Sequence, residues 1–219
     1  MTGSISAVVF DLGGVLIDWD PRYLYRQLFD DDAAMERFLG EICSPEWNGL
    51  QDAGRSWAEG VETLARQHPA ERQLIAAFHR RWDEMLGGQI QETVDLLSEL
   101  SESGIGVYAL SNWSAETFPI ARARYPFLGW FDGIVISGDV GVCKPDPRAF
   151  RHLIERYRLE PATTLFVDDS EANVMAAGEL GMIALQFRGA AELRKELSAL
   201  GALAAGAGAE RAESQITPW

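Results

Sequence analysis

Asp11, Lys144 and the pair Asp168-Asp169, with the hydrogen-bonding pair Ser111-Asn112, are the residues whose types and placement could do chemistry. Asp11 ends the run Val8-Val9-Phe10, Ser111-Asn112 follows Ala109-Leu110, and Asp168-Asp169 follows Phe166-Val167. Lys144 stands in Cys143-Lys144-Pro145-Asp146-Pro147, between an apolar run and a helix-like segment. Brought together, this set suits phosphoryl transfer. A carboxylate that attacks a phosphate dianion must have its charge repulsion cancelled. Asp168 and Asp169 beside Asp11 would repel one another unless a hard divalent cation lay between them, and Mg²⁺ accepts carboxylate oxygens in an octahedral shell. Lys144 adds a second positive charge for the substrate or an intermediate. Ser111, Asn112 and nearby backbone N–H groups can donate hydrogen bonds to phosphate oxygens, and Gly13-Gly14 permits a sharp turn and close backbone approach. Alone, Asp168-Asp169 reads as readily as solvated acids at a helix start, and Lys144 as a surface lysine. Their joint occurrence in this order favours a site.

The elements that must position these residues alternate in period. Apolar, β-branched-rich runs at 7–10, 105–110, 133–136, 164–167 and 183–186 read as strands buried on both faces. Helix-period segments at 91–102, 147–157 and 170–180 separate them, with Gly104 and Gly181 as stops and Pro147 in a first turn. This alternation predicts an α/β fold with a doubly wound parallel sheet. In such sheets ligands bind outside the carboxyl ends of the strands, where the polar clusters fall. The interval from Trp19 to Gly88 breaks the rhythm. It holds helix-like pieces at 22–29, 32–42, 56–67 and 70–86, punctuated by Pro45, Gly49, Gly54 and Pro69, with no convincing strand. It is too long for a crossover and too structured for a loop. A helical insertion at 19–88 is expected over the carboxyl edge of the sheet, with Trp47, Trp57 and Trp82 in its core or its contact with the sheet. The catalytic core is then 1–18 with 89–200, followed by a flexible, low-complexity tail at 201–219.

The chain of 219 residues is 47% hydrophobic and 24% charged, which excludes disorder over most of its length. Its 33 acidic against 19 basic residues give a net charge of −14, a poor match to nucleic acid or anionic membrane surfaces. No apolar run reaches the roughly eighteen residues of a membrane span. The segment Met1-Thr2-Gly3-Ser4-Ile5-Ser6 carries no basic signal region, so a cytoplasmic location is expected. Cys43 and Cys143 form no CxxC pair, which argues against structural zinc or a disulfide framework. His68, His79 and His152 match no metal or triad spacing. The sequence leaves the oligomeric state undetermined.

Four motifs carry a family resemblance: Phe10-Asp11-Leu12-Gly13-Gly14-Val15-Leu16, Leu110-Ser111-Asn112, Lys144-Pro145-Asp146-Pro147 and Val167-Asp168-Asp169-Ser170. In order and type they resemble those of the haloacid dehalogenase superfamily, over residues 6–190, and the insertion resembles that superfamily's helical cap. The resemblance implies a Rossmann-like hydrolase. Asp11 would be the nucleophile, forming an aspartyl-phosphate or aspartyl-ester. Lys144 would stabilise nucleophile and intermediate. Ser111, with Asn112 beside it, would bind the transferred group; apart from the resemblance, Trp113, which directly follows them, and Gly14, by close backbone approach, are expected at the substrate pocket. Asp169 with Asp168 would hold Mg²⁺, together with Asp11 and the Gly13 carbonyl. The substrate implied is a small phosphorylated metabolite.

Phosphatases of this superfamily usually carry a second Asp two residues after the nucleophile, as general acid and base, where this chain has Gly13. Asp18 and Asp20 are the nearest replacements in sequence. Asn48 and Arg55 are further positions that could reach a substrate. Two other readings are a metal-independent 2-haloacid dehalogenase, whose halide leaves without protonation, and a non-catalytic binding protein on the same fold. The first sits poorly with two extra acids, which would raise the carboxylate pKa values and blunt the nucleophile. If a missing acid limits poor leaving groups, Gly13→Asp should raise hydrolysis of alkyl phosphates more than of aryl phosphates. Comparing kcat/KM for the two ester classes checks this, and an unchanged preference refutes it.

Overall fold

In the computed structural model, which describes residues 4–204, the chain begins with β1 (Ala7–Phe10) and β2 (Ile17–Trp19). Helices α1 (Arg22–Tyr25), α2 (Asp32–Glu41), α3 (Pro45–Asp52), α4 (Trp57–Gln67) and α5 (Arg72–Arg80) follow, and β3 (Leu86–Gln89) returns. Then come α6 (Gln91–Glu102), β4 (Gly106–Ser111), α7 (Phe118–Arg124), β5 (Gly133–Ile136), α8 (Ser137–Val140), α9 (Pro147–Tyr157), β6 (Thr164–Asp168), α10 (Glu171–Glu179), β7 (Ile183–Gln186) and α11 (Ala190–Ala199). The five expected strands form one parallel sheet in the order β5-β4-β1-β6-β7. Its central strands β1 and β6 are buried on both faces, while the edge strand β7 is only partly buried. Val8 and Phe10 of β1 join one apolar cluster while Val9 joins the other, and Leu165 and Val167 of β6 alternate with Phe166 in the same way.

Register places the chemistry. Phe10 pairs with Val167 on one side and Ala109 on the other, so Asp11 lies level with Asp168 and one step short of Ser111. The Asp11 N–H donates to the Val167 carbonyl at 2.8 Å, which continues the ladder by one residue. All three polar residues therefore emerge at the carboxyl edge of neighbouring central strands.

The chain leaves and re-enters the sheet layer through β2 and β3, which pair antiparallel (Ile17 with Gln89, Asp18 with Gly88). These strands are absent from the sequence reading because Leu86-Gly87-Gly88-Gln89 has no β-branched or alternating pattern. Their pairing comes from the partner strand. α3 is likewise unforeseen, since Pro45 and Gly49 read as breaks. Pro45 instead occupies the first turn, where a missing N–H costs nothing, and the Ser44 hydroxyl accepts from the Trp47 N–H at 3.2 Å. The helix expected over 70–86 ends at Arg80 and gives way to a 3₁₀ turn at Trp82–Met85, and that expected over 22–29 ends at Tyr25. Of the tail expected from 201, Ala202 and Leu203 are buried against the main core; 205–219 lie outside the described residues. No helix among the described residues is long and apolar enough to cross a membrane.

The inserted helices share an aromatic core in which Trp57 stacks on Phe78 (centroids 5.6 Å) and meets Trp47 edge-on at 5.6 Å. Trp57 also fastens the insertion to the loop after β4. Its indole N–H donates to the Ser114 hydroxyl at 3.1 Å and its backbone N–H to the Glu116 carboxylate at 2.9 Å. Trp57 is fully buried. Trp57→Ala should therefore cost about 3–5 kcal/mol, the range for deleting a large buried aromatic. Urea denaturation monitored by circular dichroism measures this, and a loss under 1 kcal/mol would contradict the packing role.

Candidate active site

The Lys144 ammonium lies between two carboxylates, 3.0 Å from Asp11 Oδ1 and 2.6 Å from Asp168 Oδ2. The lysine and Asp168 side chains are almost wholly buried, and that of Asp11 is 13% exposed. Burial opposes the charge on Lys144, but Asp11 and Asp168 outweigh it and raise its pKa above the ordinary value. Asp168 has no spare reach. Oδ2 takes the lysine, Oδ1 accepts the Ser170 N–H at 2.9 Å, and the Asn173 amide donates to both oxygens. Asp11 Oδ1 also accepts from the Leu12 N–H at 2.7 Å.

Carboxylate oxygens of Asp11, Asp168 and Asp169 lie within 4.8 Å of one another. Three carboxylates against one ammonium leave two negative charges uncompensated. Burial, with the Asp168 charge, pushes Asp11 up to about 6 despite the pull of Lys144. Asp169 is also raised, by burial and then by Asp168, with Lys144 opposing. The arrangement fits a divalent cation of the oxygen-seeking class. Gly14 completes the cradle. It adopts φ +72°, and a Cβ there would lie 2.6 Å from Asp169 Oδ2, so only glycine leaves the carboxylate its place. The Gly14 N–H donates to the Ile17 carbonyl at 2.9 Å, so it braces the turn and is not free for a substrate oxygen.

Asn112 also differs from expectation. Its amide clamps the Lys144 backbone, with Oδ1 accepting the Lys144 N–H at 2.8 Å and Nδ2 donating to the Lys144 carbonyl at 2.9 Å. The side chain positions the lysine instead of presenting itself to a phosphate. Ser111 is buried at the end of β4, and its hydroxyl makes no hydrogen bond among the described residues, which leaves it available. The Trp113 N–H is held by the Ser137 hydroxyl at 2.9 Å, while its ring lines a cavity above the site.

That cavity, about 80 Å³, lies between the sheet edge and the insertion. Gly13, Asn112 and Trp113 line it from the core. Trp19, Asn48, Asp52 and Trp82 line it from the other side. Of the residues raised as acid replacements, Asp18 accepts the Tyr23 hydroxyl at 2.6 Å, and Asp20 caps the Arg22 N–H at 2.8 Å and pairs with its guanidinium. Neither lines the cavity. Arg55 is held within the insertion by Gln51 and the Trp47 carbonyl. Sequence reasoning missed Asn173, Ser137 and Asp52. Asn173, one turn into the helix after Asp168, offered a faint signal; Asp52, inside an unrecognised helix, offered none.

Residues 5–181 match the haloacid dehalogenase-like hydrolase family, and the chain belongs to it. It is a hydrolase. The sesquiterpene phosphatase astK of Aspergillus oryzae is 30% identical over 187 residues, spanning 85% of this chain and 92% of its own. The D-ribitol-5-phosphate phosphatase of Bacteroides thetaiotaomicron is 27% identical, spanning 90% of this chain and 98% of its own. Among solved structures, a haloacid dehalogenase family enzyme from the same bacterium, in complex with magnesium and inorganic phosphate, superposes with a TM-score of 0.63. It is 26% identical and covers 83% of this chain and 93% of its own.

Gly14→Ala should displace Asp169 and weaken divalent-cation binding at least about tenfold, a change of roughly 1.4 kcal/mol, while far-UV circular dichroism stays unchanged. Calorimetric titration with Mg²⁺ measures this, and equal affinity would show that the Gly14–Asp169 contact does not shape the site.

Proposed function

We propose that this hydrolase is a Mg²⁺-dependent phosphatase of a small phosphorylated metabolite, acting through an aspartyl-phosphate on Asp11. The observation that carries the reading is the excess of carboxylates over ammonium at the strand ends, with Asp168 and Lys144 buried and Asp169 exposed, a charge pattern suited to a divalent cation and a phosphate together. The phosphatase names of two relatives and the magnesium and phosphate in the solved family enzyme support it. Residues 1–18 and 89–200 act as the catalytic core in this reading, with 19–88 as the cap.

Asp11, Asp169 and the Gly13 carbonyl would hold the cation, with Asp168 fixing Lys144 beside them. When bound, Mg²⁺ supplies positive charge toward the phosphate oxygens and the nucleophile. Asp11 attacks phosphorus in line as the bond from phosphorus to the ester oxygen breaks; its carboxylate becomes the acyl partner of the phosphoryl group, and the ester oxygen leaves as the alcohol after taking up a proton. Lys144 keeps Asp11 ionised and faces the charge that builds on the transferring group. The free Ser111 hydroxyl donates to a phosphate oxygen, and Asn112 keeps Lys144 in register. Water then cleaves the acyl-phosphate, releasing phosphate and restoring Asp11. The insertion above the site limits bulk water and shapes the space for the leaving alcohol. A sesquiterpene phosphatase and a D-ribitol-5-phosphate phosphatase have in common only that each removes a phosphoryl group, so the reading extends to an organic phosphate and no further.

Phosphate release from a panel of small organic phosphates should require Mg²⁺ and stop with chelator. Asp11→Asn should reduce turnover by about 10³-fold or more with the fold intact. Metal-independent halide release from a 2-haloacid, with no phosphate release from any ester, would overturn the reading.

A further inference from the structure

Gly13 leaves the core without a proton donor where an ester oxygen departs, and the space beside its Cα is open for 4 Å. The cavity that begins there is lined on the insertion side by Asp52, and Asp52 is the one titratable side chain among its lining residues. Three further polar atoms around this cavity are buried and lack hydrogen-bond partners: the indole N–H groups of Trp19 and Trp113 and Asn48 Oδ1. Buried polar groups are ordinarily paired, so three unpaired ones on residues that line one cavity suit a bound molecule that completes them. Two donors and one acceptor call for an occupant with both oxygen acceptors and a hydroxyl. On the phosphatase reading above, the alcohol portion of a phosphate ester is such an occupant. We propose that the leaving alcohol sits in this cavity and that Asp52 is the general acid and base that the core lacks at Gly13.

Asp52 closes α3, whose Gly49 carbonyl lies 3.9 Å from the Cys143 thiol, so the helix rests on the segment leading into Lys144. Asp52 Oδ2 accepts from Asn48 Nδ2 at 2.9 Å, and no cation pairs with it among the described residues. Burial pushes its carboxyl up to about 7, with the Ser114 N–H working the other way. Of the groups packed nearby, Cys143 is itself raised by burial and then by Asp52. Lys144, beyond it, is engaged by Asp11 and Asp168. Arg55 turns away to Gln51 and Trp47, the Glu116 carboxylate accepts from Trp57, and Asp139 of α8 is exposed. A carboxyl of this kind holds its proton near neutrality and can give it up and take it back.

The two half-reactions balance. Asp11 forms a bond to phosphorus as the bond from phosphorus to the alcohol oxygen breaks, and the Asp52 proton passes to that oxygen. The alcohol leaves and water takes its place. The Asp52 carboxylate removes a proton from the water as it attacks phosphorus. The bond to Asp11 breaks, inorganic phosphate departs, and both carboxyl groups return to their starting states.

The test compares wild type, Asp52→Asn and Asp52→Glu on an alkyl phosphate and on p-nitrophenyl phosphate, whose leaving group needs little protonation. Asp52→Asn should lower kcat/KM for the alkyl ester by about 10²- to 10⁴-fold, the usual worth of general acid catalysis, and far less for the aryl ester. The fall in alkyl-ester kcat/KM above about pH 7, where Asp52 loses its proton, should vanish in that variant. Slow water attack should make the variant release nitrophenolate in a stoichiometric burst. Gly13→Asp added to Asp52→Asn should restore alkyl-ester turnover, and Asp52→Glu should retain part of it. Because a raised carboxyl pKa destabilises the fold as pH rises from the unfolded value toward the folded one, Asp52→Asn should be at least as heat-stable as wild type at pH 8. Equal losses on both esters, or a persisting basic limb, would overturn this role while leaving the phosphatase reading standing. No phosphate release by wild type from these two esters or from any ester of the panel above would overturn both.

Discussion

The buried contact of Lys144 with Asp11 and Asp168 is the constraint on which the rest of the site depends. Taking three charged groups out of water is costly, and their mutual attraction offsets that only with close geometry and saturated hydrogen bonds. Asp168 meets the requirement through Ser170 and Asn173, and Lys144 through the Asn112 clamp on its backbone. Asp11 does not meet it. Its remaining oxygen, with those of Asp169, faces a region of unbalanced negative charge. The protein thus stabilises one half of a charge pattern and leaves the other half to be completed from outside, as a bound divalent cation would do.

Backbone register supplies the precision. Asp11 and Asp168 stand level because β1 and β6 pair without a bulge, and Ser111 follows one step further along β4. Strands covered on both faces cannot slip by one residue without turning every side chain to the opposite layer, so the two apolar clusters above and below the sheet also hold the catalytic edge in alignment. Gly14 adds a local condition, since its left-handed backbone and missing side chain give Asp169 its position.

Much of this was legible before any coordinates. The five strands are short, continuous apolar runs that end in polar residues, and both signals are local. The four clusters were readable for the same reason, with Asp11, Ser111 and Asp168-Asp169 at strand ends and Lys144 just ahead of α9, beyond the short α8 that follows β5. What escaped was relational. Asn112 looks like a ligand contact by type, yet its amide is engaged by the Lys144 backbone, a pairing across 32 positions that no local pattern encodes. Asp52 belongs to a helix hidden behind Pro45 and Gly49, and its raised carboxyl pKa arises from burial that only the folded chain creates. Asp18 and Asp20 seemed closer because they follow the first motif, but Tyr23 and Arg22 engage them away from the cavity.

The stretch from Ser111 to Glu116 performs two tasks in six consecutive positions. Ser111 ends β4 at the candidate site, Asn112 clamps the Lys144 backbone, and Ser114 and Glu116 receive the hydrogen bonds from Trp57 that fasten the overlying helices. Chemistry and enclosure therefore share one rigid handle. Moving the overlying helices away from the sheet edge would mean breaking bonds within a few residues of Ser111 and of the Asn112 clamp on Lys144, so opening of the roof and the geometry of the strand-end cluster are mechanically linked.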